Sequence, residues 1–119
     1  MALHEILHAI GYGASETWDS LKSGTSWTGP EAIAANGGSG IGLVNGGGDH
    51  LAPNTMSTTI NGGVSQEVVM DPNLTVGTRK YLTELDLAVL RDLGYSTIPE
   101  PSSGLLLLCG ACFTLRRRR

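Results

Sequence analysis

The 119-residue sequence has few of the residues that usually stabilise a small domain. Its two cysteines, Cys109 and Cys112, lie near the C-terminus, so no disulfide can staple the body of the chain. Their C-x-x-C spacing lacks the βαβ context or second cysteine pair of a redox or metal site, and we interpret them as small residues of an apolar segment. Aromatic residues make up only 5% of the sequence, which predicts a thin hydrophobic core.

Positive charge is scarce outside the C-terminus. Four of the eight basic residues are the terminal Arg116–Arg119, whereas all eleven acidic residues precede Pro101. The body is therefore acidic and offers no basic patch, which excludes nucleic acid as a partner. No charged segment followed by a separate apolar one is visible at the N-terminus, so the sequence shows no signal peptide.

Glycine is abundant, at roughly twice its average frequency of about 7%. Most of Tyr12–Gly63 has the composition of turns and loops. Within this stretch, Pro30–Asn36 predicts a short helix, because proline suits a first helical turn and Gly37 follows its end. Ile41–Val44 predicts a brief strand.

Two stronger helices are predicted on either side of the glycine-rich stretch. Met1–Ile10 contains good helix formers and no breaker, and it stops at Gly11. The second helix begins at Thr83, a favourable capping residue, and ends at Gly94. Glu84 and Asp86 suit its positive end, and Leu82, Leu85, Val89, Leu90 and Leu93 form its apolar face. Trp18 and Trp27 are predicted to pack against the body.

The most informative string is His4-Glu5-Ile6-Leu7-His8, which matches the pattern H-E-x-x-H. Two histidines four residues apart lie on one face of a helix, so both imidazoles can reach one metal ion. A glutamate beside the first histidine can take a proton from a water bound to that metal. The string predicts a zinc site with His4 and His8 as ligands and Glu5 as the catalytic base.

A catalytic zinc ion needs a third protein ligand. The one remaining histidine is His50, which follows Gly46-Gly47-Gly48-Asp49 in a loop that can fold back towards the first helix. Glu16 and Asp19 are alternatives, because both follow that helix closely enough for a turn to return them. We favour His50 as the third ligand.

The assembled residues resemble the metzincin clan of zinc peptidases, and within it the leishmanolysin-like pattern. H-E-x-x-H-x-x-G is satisfied through Gly11, while Ala14 occupies the position of the third histidine of compact metzincins. A long insertion, His50, a methionine and a helix ending Asp92-Leu93-Gly94-Tyr95 follow in the order of the leishmanolysin-like pattern. The resemblance implies a methionine turn under the metal, formed by Met70 or alternatively Met56.

The C-terminal residues resemble the PEP-CTERM sorting signal. Pro99-Glu100-Pro101, the apolar run Gly104–Leu115 and the terminal arginines occur in the order of that signal. The resemblance implies a bacterial protein that is exported, anchored in the inner membrane, processed by an exosortase and then held at the cell surface or in extracellular matrix. The 12-residue run spans only about 18 Å as a helix, against a bilayer core of about 30 Å, so a full span needs flanking residues.

These features predict a mostly α fold with long irregular loops, as the C-terminal subdomain of a zincin-like α+β fold, plus a C-terminal apolar helix. We expect residues 1–97 to form a partial metzincin-like catalytic domain and residues 98–119 to form the sorting and anchor segment. Because metzincins have a sheet before the active-site helix, we expect the sequence to be the C-terminal part of a longer enzyme.

The predicted function is zinc-dependent hydrolysis of peptide bonds in a protein or peptide substrate. In this prediction Glu5 is the general base for a metal-activated water. The alternative is a non-catalytic exported surface or matrix protein that retains the zinc motif as a relic. A third interpretation is a zinc peptidase that uses Glu16 or another carboxylate in place of His50.

Overall fold

A computed structural model describes residues 2–44, 48–73, 75–98 and 107–113 of the chain. The elements follow in the order α1 (Ala2–Ala9), α2 (Glu16–Ser20), β1 (Lys22–Ser23), β2 (Ser26–Trp27), α3 (Pro30–Ala35), β3 (Ile41–Gly42), β4 (Met56–Thr58), β5 (Ser65–Glu67) and α4 (Glu84–Asp92). Residues 107–113 form a further short helix with exposed side chains.

The predicted fold class is wrong. Helix accounts for about 35% and strand for about 16% of the described residues, so the fold is a small mixed α/β one rather than mostly α. Strands β1, β2 and β3 pair antiparallel in that order, and β4 pairs antiparallel with β5. Each strand has only two or three residues, most of them polar, so the glycine-rich stretch carries no alternating pattern that would reveal them.

The predicted C-terminal apolar helix is also wrong, because no long apolar helix is present among the described residues. In this part of the chain the structure describes residues 107–113, which are helical and extend about 10 Å. Within the described ranges, no helix combines the length and the apolar character needed to cross a bilayer. Pro99-Glu100-Pro101 and the terminal arginines lie outside the described residues.

The three predicted helices of the body are confirmed as α1, α3 and α4. Past the end of α1, Gly11 has a φ of +103°, a conformation that glycine adopts without steric cost. At the start of α4, the Thr83 side chain accepts a hydrogen bond from the Asp86 N–H, and the Asp86 carboxylate accepts one from the Thr83 N–H. This reciprocal capping box fixes the first turn of the helix.

The hydrophobic core draws side chains from helices, strands and the connecting segments. Trp18 and Trp27 are buried as predicted, with ring centroids 4.2 Å apart, and Tyr12 extends the stack at 5.0 Å from Trp18. The other buried members are Leu7, Ala32, Ile41, Leu43, Leu51, Val68, Val69, Met70, Leu85, Ala88, Val89 and Leu90. A thin core thus relies on one aromatic stack for much of its volume.

Asp92 connects the end of α4 to the start of α3. Its carboxylate accepts hydrogen bonds from the Trp27 indole N–H at 3.2 Å and from the N–H groups of Glu31 and Ala32 at 2.9 and 3.0 Å. The first N–H groups of a helix have no partner within the helix, so this distant carboxylate takes the place of a local cap. The two helices are thereby held together without contact to the histidines.

Candidate metal centre

His4 and His8 lie on the same side of α1, with ring centroids 4.9 Å apart. His4 is buried and His8 is half-buried. Leu7, on the same helix, is buried in the core and fixes the rotation of α1 about its axis. The helix therefore presents two imidazoles towards the interior side of the molecule.

His50 reaches these two imidazoles from the connection between β3 and β4. Its Nε2 atom lies 3.1 Å from Nε2 of His4 and 3.1 Å from Nε2 of His8. The ligand atoms of the three histidines all lie within 4.8 Å of one another, which is close enough to bind one metal ion. In the described part of the chain, this is the one such group of histidine, cysteine or carboxylate side chains.

Hydrogen bonds on the far side of both α1 imidazoles fix their tautomers. His4 Nδ1 donates to the Val69 carbonyl at 2.9 Å, and His8 Nδ1 donates to the Tyr12 carbonyl at 2.8 Å. Because a carbonyl oxygen can only accept, the proton of each neutral ring is on Nδ1 and the lone pair is on Nε2. This is the usual outer support of a metal-binding histidine.

His50 has a carboxylate as its outer partner. Its Nδ1 lies 2.9 Å from an oxygen of Asp49. The hydrogen bond with His50 is the main cause that holds the pKa of Asp49 below its ordinary value, against a smaller opposing effect of burial. The ionised carboxylate accepts from Nδ1, so the Nε2 lone pair of His50 joins the other two. Nothing in the sequence analysis assigned a role to Asp49.

The tight turn Val68–Asp71 supports two of the histidines. Its second residue, Val69, provides the carbonyl that accepts from His4. The next carbonyl, of Met70, accepts the N–H of Leu51 at 3.2 Å, and Leu51 directly follows the third histidine. One short stretch of backbone therefore fixes a ligand on α1 and the segment that carries the ligand from the loop.

The two candidate methionines have different surroundings. Met70 is fully buried within the supporting turn, whereas Met56 is 52% exposed on β4. The structure therefore favours Met70 over Met56 as the methionine of the predicted turn.

Close backbone packing holds the segment before His50 against the end of α1. Gly13 has a φ of +81°, and a Cβ added there would lie 2.1 Å from the Asp49 carbonyl oxygen. Only glycine permits this approach. Trp18 also contributes, because its indole N–H donates to the Gly48 carbonyl at 2.7 Å. Both contacts position the backbone one or two residues before the third histidine.

The carboxylates predicted from the sequence lie outside this group of ligand atoms. Glu5 follows His4 on α1 and is exposed. Glu16 and Asp19 are both exposed on α2, and Asp19 pairs with Lys22 at 2.6 Å. The structure brings neither of the last two together with the histidines.

A cleft of about 840 Å³ opens beside His4. Its walls are the first turn of α1, Ile60 and Asn61, Val69, and the segment Thr75–Leu82, and about half of the lining residues are apolar. Lys80 lies at the wall and pairs with Glu67 at 3.0 Å. No local sequence pattern predicts this cleft, because it forms between segments about 70 residues apart.

No protein-family model, no curated protein and no solved structure matches this chain. The functional interpretation therefore rests on the chemistry of the three histidines, their outer partners and the adjacent cleft.

Proposed function

We propose that the chain carries the zinc centre of a metallopeptidase, with His4, His8 and His50 as ligands. The observation that carries the proposal is the convergence of three Nε2 lone pairs, each fixed by an acceptor at Nδ1. Zinc binds imidazole nitrogen at about 2.0–2.1 Å in tetrahedral geometry, which separates neighbouring ligand nitrogens by about 3.3–3.4 Å. The two separations of 3.1 Å are close to that value. Three protein ligands also leave a fourth position for water, as catalytic zinc sites do.

The reaction that fits this donor set is hydrolysis of a peptide bond. Zinc, when bound, supplies Lewis-acid chemistry and lowers the pKa of a coordinated water towards about 7. Glu5 follows His4 on the exposed side of α1, where it takes one proton from the attacking water and delivers it to the leaving amide nitrogen. The water oxygen bonds to the carbonyl carbon, the C–N bond breaks, and an acid and an amine result. A substrate side chain would occupy the apolar cleft beside His4.

We include in this proposal both a metzincin-like peptidase and the export of the protein. The metzincin-like assignment is supported by H-E-x-x-H-x-x-G, the third histidine and the closing Asp92-Leu93-Gly94-Tyr95. Pro99-Glu100-Pro101 with the following apolar run supports an inner-membrane anchor and processing by an exosortase. Fractionation of bacteria with and without an exosortase tests export, and a processed, surface-located form is expected in the presence of the exosortase.

Metal content tests the centre itself. Elemental analysis of the purified full chain is expected to give one zinc per protein, and His50→Ala is expected to lose it. Glu16→Ala is the matched comparison, because Glu16 is the alternative third ligand and lies outside the group of histidines. Zinc loss in Glu16→Ala but not in His50→Ala would refute the ligand set.

The catalytic role of Glu5 is tested by Glu5→Gln, assayed with a mixture of quenched fluorescent peptides. We expect hydrolysis to fall by about 10²–10⁴-fold while zinc stays bound, since the amide cannot take the proton. Glu16→Gln is the control, because Glu16 is also exposed and does not belong to the group of histidines. Equal hydrolysis by the wild type and Glu5→Gln would refute the mechanism. A wild-type protein that binds no zinc and cleaves no peptide would favour the relic, non-catalytic alternative.

A further inference from the structure

Asp86, on α4, is fully buried, and the chemistry described so far does not use it. Its Oδ2 atom accepts three hydrogen bonds, from the N–H of Val69 at 3.1 Å and from the N–H and hydroxyl of Thr83 at 3.0 and 2.7 Å. The Thr83 bonds cap α4. The Val69 bond instead leaves the helix and reaches the turn that supports the histidines.

The Val69 bond connects Asp86 to two of the three ligands. Val69 donates its N–H to Asp86 and accepts from His4 with its own carbonyl. The following carbonyl, of Met70, accepts from Leu51, which adjoins the third histidine. A shift of Val69 therefore moves the acceptor of one ligand and the anchor of another.

The second oxygen of Asp86 makes no comparable contact. Among the described residues, Asp86 Oδ1 and the Tyr12 hydroxyl are the buried side-chain atoms without hydrogen-bond partners. The path from Asp86 to the histidines therefore runs through its Oδ2 atom and the Val69 N–H.

We propose that Asp86 is the positioning residue of the metal centre, acting through Val69 on His4 and on the His50 segment. The inference rests on the proposed function, since it requires that the histidines bind zinc. Asp86 touches neither the ligands nor a substrate; it holds the backbone carbonyls that orient the imidazoles. Loss of an outer partner of a metal ligand typically costs about 10–100-fold in metal affinity.

The test compares Asp86→Ala with Asp86→Asn in the full chain. The zinc dissociation constant is measured by competition with a chromophoric chelator, and thermal unfolding is measured on the metal-free protein. Asp86→Ala is expected to weaken zinc binding by about 10-fold or more. Asp86→Asn is expected to stay within about threefold of the wild type, because its amide oxygen can accept the same three hydrogen bonds.

Asp92→Ala is the matched control. It removes a carboxylate from the same helix that also accepts three hydrogen bonds, but from Trp27, Glu31 and Ala32 rather than from the histidine supports. We expect it to lower thermal stability and to leave the zinc dissociation constant unchanged. If Asp86 has a purely structural role, Asp86→Ala and Asp92→Ala should both lose stability. Zinc affinity should then be unchanged in both variants, or fall by the same factor in both. That result would overturn the inference.

Asp86→Asn also keeps the inference testable if Asp86→Ala does not fold. The amide oxygen retains the acceptor for the Val69 N–H, so a folded Asp86→Asn should retain zinc affinity. A loss of more than about tenfold in this variant would refute positioning through that hydrogen bond. A wild-type protein without zinc affinity would refute the proposed function, whereas wild-type affinity retained in Asp86→Ala would refute only the positioning role.

Discussion

Gly13 is the position at which a single added methyl group should remove a metal ligand without altering any histidine. Its φ of +81° and its contact with the Asp49 backbone both require glycine. Asp49 directly precedes His50, so a displacement at this contact passes to the third imidazole. The variant to examine is Gly13→Ala.

The size of the displacement follows from the contact distances. A Cβ at Gly13 would lie 2.1 Å from the Asp49 carbonyl oxygen, whereas ordinary van der Waals contact begins at 3.4 Å. One backbone must therefore move by the difference, about 1.3 Å, while zinc sites tolerate ligand distances within only about 0.2 Å. We expect His50 to be lost as a ligand and zinc affinity to fall by more than about 100-fold, beyond the loss seen when only an outer partner is removed.

Gly38→Ala is the matched control for the free-energy cost of placing alanine at a positive φ. Gly38 has a φ of +83°, nearly that of Gly13, but a Cβ there would meet nothing within 4 Å. Gly38→Ala should lower the free energy of unfolding of the metal-free protein by about 1–2 kcal/mol, the cost of alanine in the left-handed region. Gly13→Ala should lose more, because it adds the contact with the Asp49 carbonyl to the same backbone cost. Only Gly13→Ala should lose zinc in chelator competition. Wild-type zinc affinity in Gly13→Ala, or equal zinc loss in both, would refute the reasoning.

Three further variants test other supports of the site. Asp49→Ala removes the acceptor of the His50 Nδ1 proton, and zinc affinity should fall about tenfold in chelator competition with little change in metal-free stability. Trp18→Phe keeps the aromatic stack but leaves the Gly48 carbonyl without its donor, so chemical denaturation should show a loss of about 1–3 kcal/mol, and a gain in stability would contradict this. Burial raises the pKa of Asp86 above 3.8, so its contribution to stability is present below that pH and is lost as pH rises through the folded pKa. The unfolding free energy of the metal-free wild type minus that of Asp86→Asn should therefore decrease as the pH rises above the ordinary pKa of an aspartate, and an increase would contradict it.

The helices could be predicted because their ends carry residue types with a local mechanism. Thr83 caps α4, Pro30 opens α3, and glycine closes α1, and each of these acts within one turn of its own position. Among the strands, the predicted brief strand at Ile41–Val44 is confirmed as β3 (Ile41–Gly42). The other strands could not be predicted from periodicity, since two or three residues are too few to show alternation. One usable signal existed: Gly24 has a φ of +59° in the two-residue loop that joins β1 to β2, and glycine at the first position of such a loop favours a hairpin.

Asp86 shows a different limit of prediction from the sequence. Its sequence position near the start of α4 predicted a residue that suits the positive end of the helix, a role that an exposed carboxylate can fill. The structure instead buries it completely, because the turn containing Val69 packs against the first turn of α4 and needs an acceptor there. That contact joins residues 17 positions apart, and nothing in either segment reveals the pairing.

The same reasoning separates the ligands of the candidate site from their supports. An imidazole ligand can come only from a histidine residue, which is visible in the sequence. H-E-x-x-H and the scarcity of histidine were therefore enough to single out His4, His8 and His50. The acceptors that orient two of these rings are main-chain carbonyls of Val69 and Tyr12, which any residue at those positions would supply. Their placement depends on the path of the backbone and so on distant packing. A chain with all three histidines intact can therefore lack a competent metal centre, and for this reason the decisive experiments alter the supports and leave the motif unchanged.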